Sequence, residues 1–236
     1  GARRAVRDGA STVVVDDGFQ HRRLARDLDL VLLSVEDPFP GGVLPVGPYR
    51  EPAESLARAH AIVLTRRGAS VEAARALSDR VEAVPGVGAG AVLGCVRMQA
   101  GALERLGGPA DADGALARGG AGATLLEGEV GAVALTAIAR PSTFRRDVAS
   151  VTNAPVDLMA FADHHEFTEA DARKARARAG SRPIVVTEKD AVKLERLSDA
   201  LGETWVLREQ LEWDWGEDAV RERRLDAVQR PPRPVG

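Results

Sequence analysis

Asp16 and Asp17 stand side by side behind the apolar run Val13–Val15, with Gly18 after them and Gln20, His21, Arg22, Arg23 and Arg26 close behind. Two adjacent carboxylates repel each other unless a cation or a set of donors neutralises them. At the carboxyl end of a parallel strand, the commonest such cation is a Mg²⁺ held at nucleotide phosphates, with the strand-end Asp in the role of a Walker B carboxylate. A turn in which one Asp caps a helix is the structural alternative. The donors that follow are more than an ordinary turn uses, and they point toward an anion.

Three more stretches hold residues of the same kind. In GGVLPVGPYREP, residues 41–52, prolines stiffen the loop and glycines permit close backbone approach, while Arg50 offers a phosphate donor and Glu51 a cation ligand. A surface ion pair between neighbouring loops is the simpler alternative. In FADHHEF, residues 161–167, Asp163 beside His164 can orient an imidazole for proton transfer. A metal site is disfavoured there, because adjacent histidines diverge and no third ligand is suitably spaced; a surface loop with incidental histidines is the alternative. In VVTEKDAVKL, residues 185–194, Thr187 takes the N-cap position of a helix on which Lys189 and Lys193 share a face. Those lysines either reach for an anion or pair with Glu188 and Asp190, the commoner outcome from spacing alone.

The elements that must carry these residues follow from periodicity. STVVVDD, LDLVLLSV and AHAIVLTR are short continuous apolar runs, the pattern of parallel strands buried on both faces. Prolines and glycines forbid a regular element from Asp37 until a helix starts near Pro52. VEAARALSDRVEAV predicts an amphipathic helix, and a Gly-rich joint follows, where the domain boundary is expected at residues 85–92. Downstream, three β-turn-α units predict a small parallel sheet with right-handed crossovers, one of its helices capped by Thr168. ETWVLREQLEW reads as a last strand and RPPRPVG as a loose tail. The fold class is therefore α/β, in two domains.

Composition excludes several functions. The 236 residues carry a formal charge of −3 with a pI near 5.9, so no global field recruits nucleic acid or an anionic membrane, and any anion site is local. Cys95 is the single cysteine, which rules out an intrachain disulfide framework and a Cys-rich zinc site and fits a reducing cytosol. No run of about 18 apolar residues spans a bilayer. GARRAVRDGAS has no initiator Met and reads as a helix, Ala2 to Arg7, running straight into a strand, so an upstream part is expected to be missing.

Taken in order, DDGFQHRRLARDLDLVLL, LPVGPYREP, AIARPSTF, FADHHEFT and VVTEKDAVKL resemble the tetraacyldisaccharide 4'-kinase (lipid A 4'-kinase) family. The resemblance implies a P-loop NTPase-like parallel sheet over residues 1–88, lacking its Walker A strand, loop and helix, and a smaller α/β domain over residues 89–236. It implies transfer of the ATP γ-phosphate, with Mg²⁺, to the 4'-hydroxyl of a disaccharide-1-phosphate lipid A precursor. The location implied is cytoplasmic, peripheral at the inner face of the cytoplasmic membrane, with no nucleic acid partner. Asp16, Asp17 and Glu51 match the metal-serving carboxylates. Arg50, Gln20, His21 and Arg22 match positions that line the nucleotide or sugar phosphate, while Asp163 and His164 match the DH motif that supports a catalytic aspartate. That aspartate and the Gly-Lys-Thr phosphate loop are expected upstream of Gly1, so this chain alone is expected to be inactive. Ala139 stands where many relatives have Gly. A non-catalytic nucleotide or sugar-phosphate binding protein on the same scaffold is the rival reading.

Overall fold

A computed structural model describes residues 2–47, 49–107 and 131–229. Along the chain run α1 (Ala2–Arg7), β1 (Leu30–Ser34), a 3₁₀ helix (Ala53–Arg58), β2 (Ala61–Arg66), α2 (Val71–Glu82), β3 (Val92–Arg105) and β4 (Ala132–Thr136). Then come α3 (Pro141–Thr152), β5 (Val156–Ala160), α4 (Glu169–Ala179), β6 (Ile184–Thr187) and α5 (Glu188–Leu194). A short 3₁₀ turn, α6 (Ser198–Leu201), β7 (Thr204–Trp215) and α7 (Glu217–Gln229) complete the described chain. Two compact units result: residues 1–98 with 212–236, and residues 99–211. The Gly-rich joint at 85–92 thus lies before the division, which falls inside the long strands β3 and β7. A strand of 14 residues carries its hydrogen bonding past the glycines, so the chain changes unit without changing element.

In the first unit β1, β2 and β3 pair in parallel, with Leu30 opposite Ala61 and Leu64 opposite Cys95. Ser70 caps α2 by accepting the Ala73 N–H at 3.2 Å. Ala74, Leu77 and Val81, spaced along one helical stripe, are buried in a core with Ile62, Leu64 and Cys95. β2 is buried nearly throughout, as its continuous apolar run requires.

Two expectations fail in this unit. STVVVDD forms no strand: residues 12–15 belong to no regular element, and Val14 is 92% exposed. A parallel strand needs neighbours to take its N–H and C=O groups, and the described residues supply none here. LDLVLLSV does form β1, yet as an edge strand with Leu30 and Leu32 exposed rather than covered on both faces. The helix expected near Pro52 is the 3₁₀ helix Ala53–Arg58, anchored by the one buried apolar residue Leu56.

The second unit follows the expected β-turn-α order. Its strands lie in the order β3-β7-β6-β4-β5, with β4 parallel to β5 and β6, and β6 parallel to β7. β4 is buried at every position. Helices cover both faces: Ala172, Ala175 and Ala179 of α4 pack with Leu135 and Val186, while Phe144 and Val148 of α3 pack with Ala134 and Val185. Small alanines on α4 let the helix lie close to the sheet, and the Thr168 capping box fixes where it starts. The tail RPPRPVG falls outside the described residues.

Candidate functional site

In the first unit the residues after the apolar run fold as successive turns held from inside by Arg26. Its guanidinium donates to the carbonyls of Gly18 at 3.0 Å and His21 at 2.7 Å and pairs with Asp29 at 2.6 Å. Arg26 is therefore spent on the turn and is not a ligand donor, which periodicity could not distinguish from Arg22 and Arg23. The turn places Asp17 in the left-handed region, φ +51°, a conformation that costs a non-glycine residue energy and that Asp tolerates better than most.

Asp17 meets Arg50, whose NH1 donates to its Oδ2 at 2.6 Å across 33 residues. The first and second chemistry-bearing stretches are thus brought together, and both side chains stay more than half exposed. Glu51, next to Arg50, is taken by Arg58 at 2.6 Å, and that guanidinium holds its carboxyl below the usual range. Arg58 also lies over the Phe19 ring, 4.6 Å from its centroid. Arg58 was not expected from sequence; its only signal was its place at the end of the 3₁₀ helix.

Two cavities open around this turn. One of about 900 Å³ is lined by Val13–Asp16 and by Gln20, His21, Arg22 and Arg23. The other, about 240 Å³, is lined by Asp17, Gln20, Arg50 and Glu51 over an apolar floor of Leu33, Phe39 and Leu56. All seven residues expected to serve metal and phosphate in this unit line one cavity or the other, and Gln20 lines both. The donor chemistry suits Mg²⁺, which takes one or two carboxylates and completes its shell with water and phosphate. Among the described residues no three His, Cys, Asp or Glu side chains gather into a protein-only cage; Asp16 lines the larger cavity and Asp17 the smaller. Cys95 takes no part: burial pushes its thiol up to about 12.

In the second unit Asp163 and His164 stand on the loop after β5, at the carboxyl end of the sheet. His164 is also left-handed, φ +62°, and 73% of its side chain is exposed. Its Nε2 lies 3.7 Å from Asp163 Oδ2, and its N–H donates to Asp163 Oδ1 at 3.0 Å. His165 behaves differently. Its ring stacks on Phe161 at 4.6 Å, meets the edge of buried Phe167, and faces the Asp171 carboxylate at 3.1 Å. Of two adjacent histidines, one is a packing residue and the other is presented to solvent.

The lysines of the 185–194 stretch correct the expected pairing with Glu188 and Asp190. Lys189 lies 3.5 Å from Asp163, and Lys193 pairs with Glu166 at 2.9 Å. Glu188 instead faces Arg208, and Asp190 is buried, accepting from Thr136 Oγ1, the Ala137 N–H and Thr187 Oγ1. The spacing Thr187-x-x-Asp190 is a capping-box signal that could have located Asp190.

Parallel strands wrapped by helices, with charged loops at their ends, put the chain in the α/β class, consistent with a P-loop NTPase-like sheet. Its sequence matches the family described as Tetraacyldisaccharide-1-P 4'-kinase over residues 1–229, and the chain belongs to that family. It is 40% identical over 229 residues to the Tetraacyldisaccharide 4'-kinase of Anaeromyxobacter sp. (strain Fw109-5), covering 93% of this chain and 56% of that protein. The protein of the same name from Syntrophobacter fumaroxidans (strain DSM 10017 / MPOB) is 38% identical over 225 residues, 92% of this chain and 53% of that one. The chain thus spans about half the length of the curated relatives it matches. No solved structure matches it.

Proposed function

We propose that the chain is the part of a tetraacyldisaccharide 4'-kinase that carries the metal-serving carboxylates and the DH pair, acting in transfer of the ATP γ-phosphate to the 4'-hydroxyl of a lipid A precursor. The observation that carries this reading is the contact of Asp17 with Arg50, which joins the paired-carboxylate turn to the Arg-Glu loop at a cavity with both side chains accessible. A carboxylate that holds a guanidinium in the free chain exchanges it for a cation when phosphate arrives, and the released arginine then has a phosphate to bind. When bound, Mg²⁺ would be held by Asp16 and Asp17 and would neutralise charge on the transferring phosphate. Arg50 and Arg22 would orient phosphate oxygens, Gln20 and His21 would line the same cavity, and Glu51 would act through Arg58. In the second unit Asp163 would hold the His164 imidazole as the proton-handling partner of the reaction.

Family membership supports this reading, and so do the left-handed backbones of Asp17 and His164, since strain of that kind concentrates where function over-determines a conformation. No helix of the described residues is long and apolar enough to cross a membrane; peripheral attachment at the inner face of the cytoplasmic membrane is part of the proposal. The test is made in a protein spanning the full length of the relatives, assayed for ATP-dependent 4'-phosphorylation of the disaccharide-1-phosphate glycolipid. Asp17→Asn is expected to lower kcat by several orders of magnitude with the fold intact. A loss of less than about tenfold, roughly 1.4 kcal/mol in barrier, refutes the metal role. ATP binding without any transfer by the parent protein would favour a non-catalytic binding protein instead.

A further inference from the structure

The 187–193 stretch has no chemical step of its own in the reaction proposed above, yet Lys189 and Lys193 contact the loop that bears Asp163 and His164, and Asp190 holds the strand end beside it. Asp190 is buried at the end of β4 and takes the Ala137 N–H at 3.1 Å together with the Thr136 hydroxyl at 2.8 Å. The carbonyl of the same Ala137 receives the His164 N–H at 3.2 Å. From the other side Lys193 Nζ donates to the carbonyls of His164 and His165, at 3.2 and 3.1 Å, while pairing with Glu166. Lys189 holds Asp163 by the oxygen that also accepts the His164 N–H.

We infer that Thr187–Lys193 is the positioning device of the Asp163–His164 pair: Asp190 sets the strand end on which His164 rests, Lys193 closes the loop over it, and Lys189 orients the Asp163 carboxylate. The physical need is plain. A left-handed His at the tip of a solvated loop relaxes unless neighbouring contacts over-determine it, and a proton-handling imidazole misplaced by a fraction of its hydrogen-bond length loses most of its effect. Lys193 is suited to the task because its ammonium offers three donors, matched here by two carbonyls and one carboxylate. Its side chain is only 22% exposed, so its stem is also packed. The inference rests on the assignment of Asp163 and His164 to the reaction, and its test separates the two.

In the 236-residue chain, Lys193→Met keeps the apolar stem and removes the donors. The expected result is at least about tenfold faster hydrogen exchange of the His164 and His165 amides. The strong amide-to-Hα cross-peak that a left-handed residue gives in NMR should weaken at His164. Melting should stay within about 3 °C of the parent, and Lys193→Arg should restore both signals. Exchange within about twofold of the parent and an intact cross-peak in the Lys189→Met, Lys193→Met double variant would overturn the inference, whatever the chain's activity. In a protein of the relatives' full length, Lys193→Met should lower kcat by about tenfold or more with KM for ATP unchanged. A loosened loop with unchanged kcat would refute the positioning role, whereas absence of transfer by the parent protein would count against the kinase reading and leave the exchange result to decide what holds the loop.

Discussion

At the scale of single residues, neighbours of the same type divide their work by what surrounds them. His164 and His165 are chemically identical in sequence, but one has a left-handed backbone and a solvent-exposed ring, while the other stacks on Phe161 and meets Phe167 edge-on. The carboxylate that receives His165, Asp171, is held down to about 2 from its ordinary 3.8, first by the Thr168 N–H, then by the Thr168 hydroxyl and then by His165. A carboxyl depressed in the folded state stabilises the fold in full above its unfolded pKa and loses that contribution as pH falls through the folded one. Stability measured by denaturant unfolding should therefore fall between about pH 4 and pH 2 through this group. Asp171→Asn should be less stable at neutral pH and should show a shallower decline across that window; an unaltered slope would show that Asp171 is not among the groups responsible.

At the scale of elements, two structural joints stand out as sensitive. Asp190 is 1% exposed; its backbone N–H donates to the Thr187 cap of α5 while its carboxylate anchors the end of β4. Replacing it with Ala leaves the Ala137 N–H and two threonine hydroxyls without their acceptor, a loss of about 3 kcal/mol or more at about 1–3 for each buried unpaired group. Asp190→Asn, which keeps an acceptor oxygen in place, should recover part of it in the same unfolding measurement. Gly216, between β7 and α7, has φ +85°, and a Cβ there would lie 2.0 Å from the Leu93 carbonyl oxygen. Backbone must yield before a side chain fits, so Gly216→Ala should cost about 2–4 kcal/mol by strain and overpacking. Its neighbour Trp215 is engaged by Arg75, 3.6 Å above the ring, so quenching or shift of Trp fluorescence reports the change directly.

At the scale of the whole molecule, these 236 residues contain no Gly-Lys-Ser or Gly-Lys-Thr sequence, and phosphoryl transfer in P-loop enzymes depends on such a loop to cradle phosphate. The purified chain is therefore expected to give no measurable ATP-dependent phosphorylation of the lipid A precursor, and transfer above background would overturn that expectation. Most of the second unit was legible in the sequence. Its strands are buried apolar runs, its helices start at Thr168 and Thr187 where capping chemistry puts them, and its β-turn-α alternation leaves few topologies. The first unit was legible only where partners exist. Val13–Val15 have strand composition and no strand, because β structure is a property of pairs and not of a segment. For the site, sequence by itself determined which residue types were present and the family they resemble: paired carboxylates, an Arg-Glu loop, an Asp-His loop. Only the tertiary structure decided which of them meet. Asp17 meets Arg50 across 33 residues, Glu51 goes to Arg58, Arg26 is consumed by its own turn, and Lys189 and Lys193 turn from their helix neighbours to a loop more than 25 residues earlier. The reason is that local spacing fixes what a side chain can reach along its own element, while the ends of parallel strands bring distant loops within hydrogen-bond range.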